Sequence, residues 1–232
     1  MKKYLLQFWP LYLTMIVTFL IVTVSGDRAV TTLAENWPVE RGVTFVIDAG
    51  HGGEDGGTIS CTGVLESQIN LQIALRLDDL IHLLGYDTVM ISKADVSVYK
   101  EGKTIAQRKL SDLKERVCIV NGTPNAILVS IHQNFFADSK YSGAQVFYND
   151  VPGAYEMANS MQNSLVSTIN PGSNRKCKQS TGVYLMEHIK SPGLLVECGF
   201  LSNPEEGAKL QNEEYQKKLC CVIACDLAKV AN

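Results

Sequence analysis

The fold of this chain is decided by the stretch VTFVIDAGHGG, residues 43–53. It begins as a continuous run of apolar β-formers, which is typical of a strand buried on both faces of a parallel sheet. The run ends at Gly50, and His51 then stands between glycines that leave room for another group to approach closely. Because sites in open α/β sheets form at the carboxyl ends of strands, this stretch predicts a strand that presents a polar side chain at that edge.

Apolar segments of helical and strand character alternate along the rest of the chain. The spacing of apolar residues predicts long helices at 67–84, 103–121, 153–168 and 213–230. Short apolar runs predict strands at 43–48, 87–92, 126–132, 144–148, 183–186 and 193–197. This alternation predicts one α/β domain at 42–232, with a mostly parallel (mixed) sheet and helices on both of its faces.

The first 28 residues carry a different pattern. Lys2 and Lys3 precede an uncharged, mostly apolar run from Tyr4 to Gly26, which is long enough to span a bilayer. The lysines favour a cytoplasmic N-terminus and export of the remainder. We therefore expect residues 1–28 to be a membrane anchor or a cleaved signal peptide, with the length of the run favouring the anchor. Residues 29–41 are expected to form a polar linker.

Composition narrows the classes of function. An apolar content of 46% and a charged content of 19% are ordinary for a globular domain. The net charge of −3 and the lack of a basic block argue against nucleic acid as a partner. Seven cysteines in an exported protein leave at least one thiol unpaired, and their spacing does not resemble a disulfide framework.

Three of the predicted buried strands end in ionisable side chains, namely His51, His132 and Glu197. Because parallel strands bring these ends to one edge, the pattern predicts a metal site or an acid–base site. Catalytic zinc takes three protein ligands from histidine and carboxylate. Glu66, at the start of the first long helix, would complete such a set with the two histidines. Glu197 would then be a free carboxylate that accepts a proton from the attacking water and returns it to the leaving group.

Other roles for these residues remain open from their pattern alone. Glu66 also suits the positive end of a helix dipole, and His132 also suits a buried core histidine. On the glycine-rich loop, Asp55 and, less strongly, Glu54 are rival metal ligands. Four further side chains are poor candidates, two histidines expected at the surface and two weak nucleophiles: His82, His188, Cys198 and Ser202.

Four motifs, taken in order, resemble the zinc-dependent N-acetylmuramoyl-L-alanine amidases of the amidase-3 family. They are DAGHGG at 48–53, Glu66 opening a helix, SIHQN at 130–134 and VECGFLSN at 196–203. The resemblance extends over about residues 43–230 and implies a mostly parallel sheet flanked by helices. Departures at Ser67 and at Ser92-Lys93, where many members carry other residues, bear on substrate preference and regulation and not on the ligands.

The resemblance also implies roles for individual residues. It makes His51, Glu66 and His132 the zinc ligands and Glu197 the catalytic carboxylate. The family cleaves the amide between the lactyl group of N-acetylmuramic acid and L-alanine in peptidoglycan. Asn134 and Asp48 are further candidates, for positioning the substrate or supporting the ligands.

Within the family, the chain is most similar to the germination-specific cortex amidases. Its connection from Asn134 to Gly143 is too short for the autoinhibitory helix of division-type members, and it has no wall-binding repeats. This similarity implies action on spore-cortex peptidoglycan as a step toward muramic-δ-lactam, in the exported space around the developing cortex, with an accessory lipoprotein as a possible partner. Two alternatives are kept: another zinc peptidase that acts on the stem peptide, and a non-catalytic wall-binding module.

Overall fold

A computed structural model describes residues 42–231, so the predicted hydrophobic segment and linker lie outside the described residues. Helices and strands alternate through this range. They are β1 (Thr44–Ala49), α1 (Glu66–Leu83), β2 (Asp87–Met90), α2 (Ile105–Gly122), β3 (Ala126–Asn134), β4 (Gln145–Tyr148), α3 (Ala154–Thr168), β5 (Lys178–Gln179), α4 (Tyr184–His188), β6 (Gly193–Phe200), α5 (Pro204–Leu210) and α6 (Glu213–Val230).

The six strands of the described residues form one sheet in the order β2-β1-β3-β6-β4-β5. The pairs β1–β2, β1–β3 and β3–β6 are parallel, whereas β4 runs antiparallel to β6. The central strands β1, β3 and β6 are almost wholly buried, as expected from their continuous apolar runs. The prediction of a mostly parallel, mixed sheet is therefore confirmed.

Helices cover both faces of this sheet. Helices α1, α3 and α6 pack together in one layer, and α2 and α4 contact each other in a second layer. The first layer buries the apolar stripe of α1 completely at Ile69, Ile73 and Leu77. No helix within residues 42–231 is long and apolar enough to cross a membrane.

Helix α2 begins at a capping box. The hydroxyl of Thr104 accepts the backbone N–H of Gln107 at 3.3 Å, and the Gln107 side chain accepts the N–H of Thr104 at 3.2 Å. This box satisfies two donors at the start of the helix and fixes where it begins. Three turns later the helix carries Arg116, which is buried against β1.

The predicted strand at 183–186 is wrong, because this segment forms the start of the short helix α4. The backbone N–H groups of Glu187 and Ile189 donate to the carbonyls of Val183 and Leu185. Leu185 and Met186 join the buried cluster between the sheet and α2. A four-residue apolar run is too short to distinguish a strand from a helix by its period, and here the packing of the second layer decides.

Candidate metal centre and active site

The site lies at the carboxyl edge of the sheet, directly after β1. His51 adopts a φ of 66°, a left-handed conformation that non-glycine residues rarely take. Arg116 holds this turn, because its Nη2 donates to the carbonyl of His51 at 2.6 Å and its Nη1 to that of Ala49 at 3.1 Å. The strained backbone therefore aims the imidazole of His51 away from the strand and toward the start of α1.

Three of the predicted ligands meet at this edge. Glu66 Oε1 lies 3.4 Å from His51 Nε2 and 3.2 Å from His132 Nδ1. One ligand atom from each residue lies within 4.8 Å of the other two. Two imidazole nitrogens and one carboxylate oxygen form a donor set that suits zinc with an open fourth position, so these residues fit a catalytic zinc ion.

Two glycines leave the space that this cluster needs. A Cβ atom on Gly50 would lie 2.2 Å from the imidazole of His132. A Cβ atom on Gly57, which has a φ of +69°, would lie 2.6 Å from Glu66 Oε2 and 2.8 Å from His51 Cδ2. Any larger residue at either position would displace a ligand side chain.

A ring of donors holds the carboxylate of Glu66. Its Oε1 accepts the backbone N–H of Gln133 at 3.1 Å and the amide of Asn70 at 3.4 Å. Its Oε2 accepts the N–H and the hydroxyl of Thr58 at 3.0 and 3.2 Å. Burial opposes ionisation of Glu66, but His132 and His51 outweigh it and hold the pKa of this carboxyl far below its usual range. Glu66 is therefore fixed as an anion that faces two imidazoles.

Asp55, the rival ligand, lies on the other side of His51. Its Oδ2 is 3.1 Å from His51 Nδ1 and 2.7 Å from Lys109 Nζ, and it is outside the three-residue cluster. Burial lowers the pKa of His51, but Glu66 and Asp55 outweigh it and leave that pKa raised. A carboxylate on the far nitrogen fixes the orientation of an imidazole ligand, and this is the position that Asp55 takes. Glu54 pairs instead with Arg108, 2.8 Å away.

Glu197 lies next to His132 in the ladder between β3 and β6. Its Oε2 is buried and has no hydrogen-bond partner among the described residues. Burial raises the pKa of Glu197 to about 7; His132 and His51 oppose this rise, and Glu66 adds to it. A carboxyl with a free oxygen and a pKa near neutrality is suited to accept a proton and release it again.

Asp48 lies beneath the cluster and is 1% exposed. It forms an ion pair with Arg116 and accepts the hydroxyl of Ser130 at 2.6 Å. Burial opposes its ionisation, but Arg116, Ser130 and His132 together lower the pKa of Asp48. Because Asp48 is enclosed, it supports the turn that carries His51 and does not face solvent.

The other residues singled out from the sequence are not members of the three-residue cluster. Asn134 ends β3, and its carbonyl accepts the N–H of Leu201 at 2.8 Å. His82 contacts Asp78 on α1, and His188 stacks on Tyr184. Two remaining side chains are buried: Cys198 and Ser202.

Arg116, Asn70 and Gln133 are functional candidates that the sequence interpretation missed. Asn70 stands on the inward-facing stripe of α1 and Arg116 on that of α2, where apolar residues are the rule. A polar or charged residue on such a stripe is a signal for a buried hydrogen-bond network. Gln133 gives no such signal, because its bond to Asn70 Oδ1 at 3.1 Å depends on the pairing of distant segments.

The fold and the site together define a class of protein. A mixed α/β sheet with two histidines, a fixed carboxylate and a second, unpaired carboxylate at its carboxyl edge is the arrangement of a metal-dependent hydrolase. Residues 45–228 match the family model described as N-acetylmuramoyl-L-alanine amidase. The chain belongs to this family, as its motifs predicted, and is an amidase that acts on cell-wall peptidoglycan.

Individual relatives agree with this assignment. The chain is 36% identical over 184 residues to the germination-specific N-acetylmuramoyl-L-alanine amidase of Bacillus subtilis, covering 78% of this chain and 77% of that protein. It is similar to the CwlD amidase of Clostridioides difficile, solved in complex with the GerS lipoprotein, with 37% identity, a TM-score of 0.77, and coverage of 81% and 97%. A second amidase, from Clostridium difficile 630, gives 28% identity, a TM-score of 0.70, and coverage of 82% and 97%.

Proposed function

We propose that this chain is a zinc-dependent amidase of the spore cortex, which releases stem peptides from muramic acid as a step toward muramic-δ-lactam and germination. The observation that carries the zinc proposal is the meeting of three ligand atoms within 4.8 Å beside a carboxylate with an unpaired oxygen. Support for the cortex role is the similarity to the germination-specific relative.

In this proposal His51, Glu66 and His132 hold the zinc ion. When bound, zinc would act as a Lewis acid toward the scissile carbonyl and toward the attacking water. Asp55 orients His51, and the donors around Glu66 keep that ligand charged.

Glu197 carries the proton transfer. Its carboxylate accepts a proton as water attacks the lactyl carbonyl, and the pKa of about 7 leaves this group able to hold the proton briefly. The same carboxyl then gives the proton to the amine of L-alanine, which leaves as a neutral group. Asn134, two residues beyond His132, is proposed to position the substrate.

Position and partners are proposed on the same basis. The hydrophobic segment at 1–28 would export the chain and either anchor it in the membrane or be cleaved, with a linker at 29–41 and the catalytic domain at 42–232. An accessory lipoprotein is proposed as a partner, because the similar amidase of Clostridioides difficile was solved with one.

The test is digestion of purified cortex peptidoglycan by the chain loaded with zinc, followed by mass spectrometry. We expect intact stem peptides with a new amino terminus on L-alanine, together with glycan strands that lack peptide. Shortened peptides that remain on muramic acid would indicate a stem peptidase. Binding to the wall with zinc present and without any new amine would indicate the non-catalytic module.

A further inference from the structure

The loop that follows the site carries an exposed aromatic surface with no role in the chemistry described above. It consists of Phe135, Phe136 and Tyr141, which are 50%, 52% and 40% exposed, and we call it the aromatic shelf. The rings of Phe136 and Tyr141 meet edge to face with centroids 4.8 Å apart. Folding normally buries aromatic rings, so a half-exposed pair of contacting rings on the loop that follows β3 is a candidate binding surface.

The shelf is held in place by hydrogen bonds from its loop to the start of α5. The N–H of Phe136 donates to Ser202 Oγ at 3.1 Å, and Asn203 Nδ2 donates to the carbonyl of Ser139 at 2.9 Å. At the end of the loop, the N–H of Gly143 donates to Glu206 at 2.8 Å. These bonds fix the rings in their exposed positions before any ligand arrives, which lowers the entropic cost of binding.

The aromatic shelf also packs against the buried ring of Phe200. The ring of Tyr141 stacks on the buried ring of Phe200 with centroids 6.4 Å apart, and the guanidinium of Arg175 lies 4.6 Å from the centroid of Phe200. Arg175 is itself fixed, since its Nε donates to the carbonyl of Ser142 at 2.7 Å. Tyr141 therefore rests on a rigid base, and the ammonium of Lys140 lies 5.4 Å from the centroid of its ring.

We propose that the aromatic shelf binds the sugar rings of the peptidoglycan strand next to the muramic acid that is cleaved. This inference rests on the proposed function, because it names the part of the same substrate that the shelf would hold. A pyranose ring presents an apolar face of C–H groups, and aromatic rings pack against such faces.

The position of the shelf fits this occupant. The scissile carbonyl is joined to the muramic acid ring through one carbon and one oxygen, so that ring must lie beside the metal cluster. Phe135 follows His132 by three residues, or about 10 Å along an extended chain. A sugar chain that continues from the muramic acid can reach this distance, and Asn134 between the two offers an amide for its hydroxyl and acetamido groups.

The size and charge of the shelf also favour sugar over protein. Three half-exposed aromatic side chains present about 300 Å². A stable protein interface takes about 800 Å² from each partner, whereas a short run of sugar rings needs much less. The charges on the loop are paired with each other, Lys140 lying 2.7 Å from Asp138, so the surface suits the neutral glycan better than the acidic stem peptide.

The direct test measures binding of glycan strands from which all peptides have been removed, with the full chain carrying Glu197→Gln to prevent turnover. We expect Phe136→Ala and Tyr141→Ala to weaken this binding by about three- to tenfold. Phe136→Trp should retain it, because the ring is kept. The matched control is Tyr155→Ala, an exposed aromatic residue paired with Tyr148 on another part of the surface, which should leave binding unchanged.

A kinetic test uses two substrates, polymeric peptidoglycan and a single muramoyl peptide without neighbouring sugars. The two shelf variants, Phe136→Ala and Tyr141→Ala, should raise KM on the polymer by about three- to tenfold and leave kcat unchanged, with no effect on the single muramoyl peptide. Melting temperatures close to that of the parent chain would show that the variants are folded.

Four results would overturn the proposal. They are an absence of binding to peptide-free strands, equal binding by shelf variants and parent, equal losses on both substrates, and loss of a lipoprotein partner with unchanged kinetics on the polymer. The last result would make the shelf a protein interface. Failure of the proposed function is read separately, as a lack of new L-alanine amino termini from the parent chain with zinc, whether or not glycan binds.

Discussion

Two carboxylates at the same edge of the sheet differ in almost every respect. Glu66 has both oxygens occupied by donors from Thr58, Asn70 and Gln133, and its pKa is held far below the usual range. Glu197 has a buried oxygen without a partner among the described residues, and burial raises its pKa to about 7. The protein therefore fixes one carboxylate as a permanent anion and leaves the other free to exchange a proton.

The first test replaces the free carboxylate. In Glu197→Gln the shape is kept but the proton acceptor is removed, so we expect amidase activity to fall by about 10²- to 10⁴-fold. Zinc content should stay at the parent level, because the three ligands are intact. The measurements are release of L-alanine amino termini and metal analysis of the same sample.

Glu205→Gln is the matched control for Glu197→Gln, since Glu205 is an exposed glutamate on α5. It should retain parental activity. Near-normal activity of Glu197→Gln with zinc present would show that Glu197 is not the proton acceptor. The difference in pKa between Glu66 and Glu197 would then have no role in the reaction.

The second test concerns the fixed carboxylate. Zinc at a free concentration of 100 times its Kd should raise the free energy of unfolding by about 2.7 kcal/mol, because only the folded chain assembles the site. In Glu66→Gln this increment should largely disappear. Glu187→Gln is a control at a carboxylate outside the three-residue cluster, which accepts the N–H of Gly182. Denaturant titrations with zinc and with a chelator provide the measurement, and an undiminished increment in Glu66→Gln would exclude Glu66 as a ligand.

Sequence alone predicted much of this edge. The apolar strands that end at His51, His132 and Glu197 can be identified because a buried strand has a continuous pattern and its polar end interrupts that pattern. The helix start at Glu66 follows for a similar reason. The positions of these residues can therefore be predicted from their immediate neighbours in the sequence.

What surrounds these residues could not be predicted in the same way. The choice between Glu66 and Asp55 as ligand depends on which nitrogen of His51 each one faces, and that is set by the path of the loop from Gly52 to Gly57. The helix α4 was missed because its few residues take their conformation from packing against α2. Contacts between distant segments decide both the choice of ligand and the conformation of α4. A local sequence pattern cannot predict such contacts.

The third test asks whether the turn that carries His51 must be held. Arg116→Met removes the donors to the carbonyls of Ala49 and His51. We expect zinc affinity to fall by about 10- to 100-fold, the usual effect of losing a group that supports a ligand. Competition with a chelator of known affinity measures this change.

Arg108→Met is the control on the same helix, since Arg108 pairs with Glu54 outside the cluster. It should leave zinc affinity unchanged. Arg116→Lys should give an intermediate affinity, because an ammonium group can reach Asp48 but cannot reproduce the fork of a guanidinium. Equal zinc affinities in Arg116→Met and Arg108→Met would show that the turn keeps its shape unaided.

The smallest expected effect comes from acid titration of Asp48, the buried partner of Arg116. The pKa of Asp48 is lowered in the folded chain despite burial, through Arg116, Ser130 and His132, so its ionisation stabilises the fold above the ordinary pKa of an aspartate. That stability is lost as the pH falls through the folded pKa. Between about pH 5 and about pH 3 the parent chain should therefore lose stability more steeply than Asp48→Asn, by at most about 1.4 kcal/mol per pH unit. Denaturant titrations with a chelator present isolate this slope from zinc binding, and parallel curves would show that Asp48 is not ionised when buried.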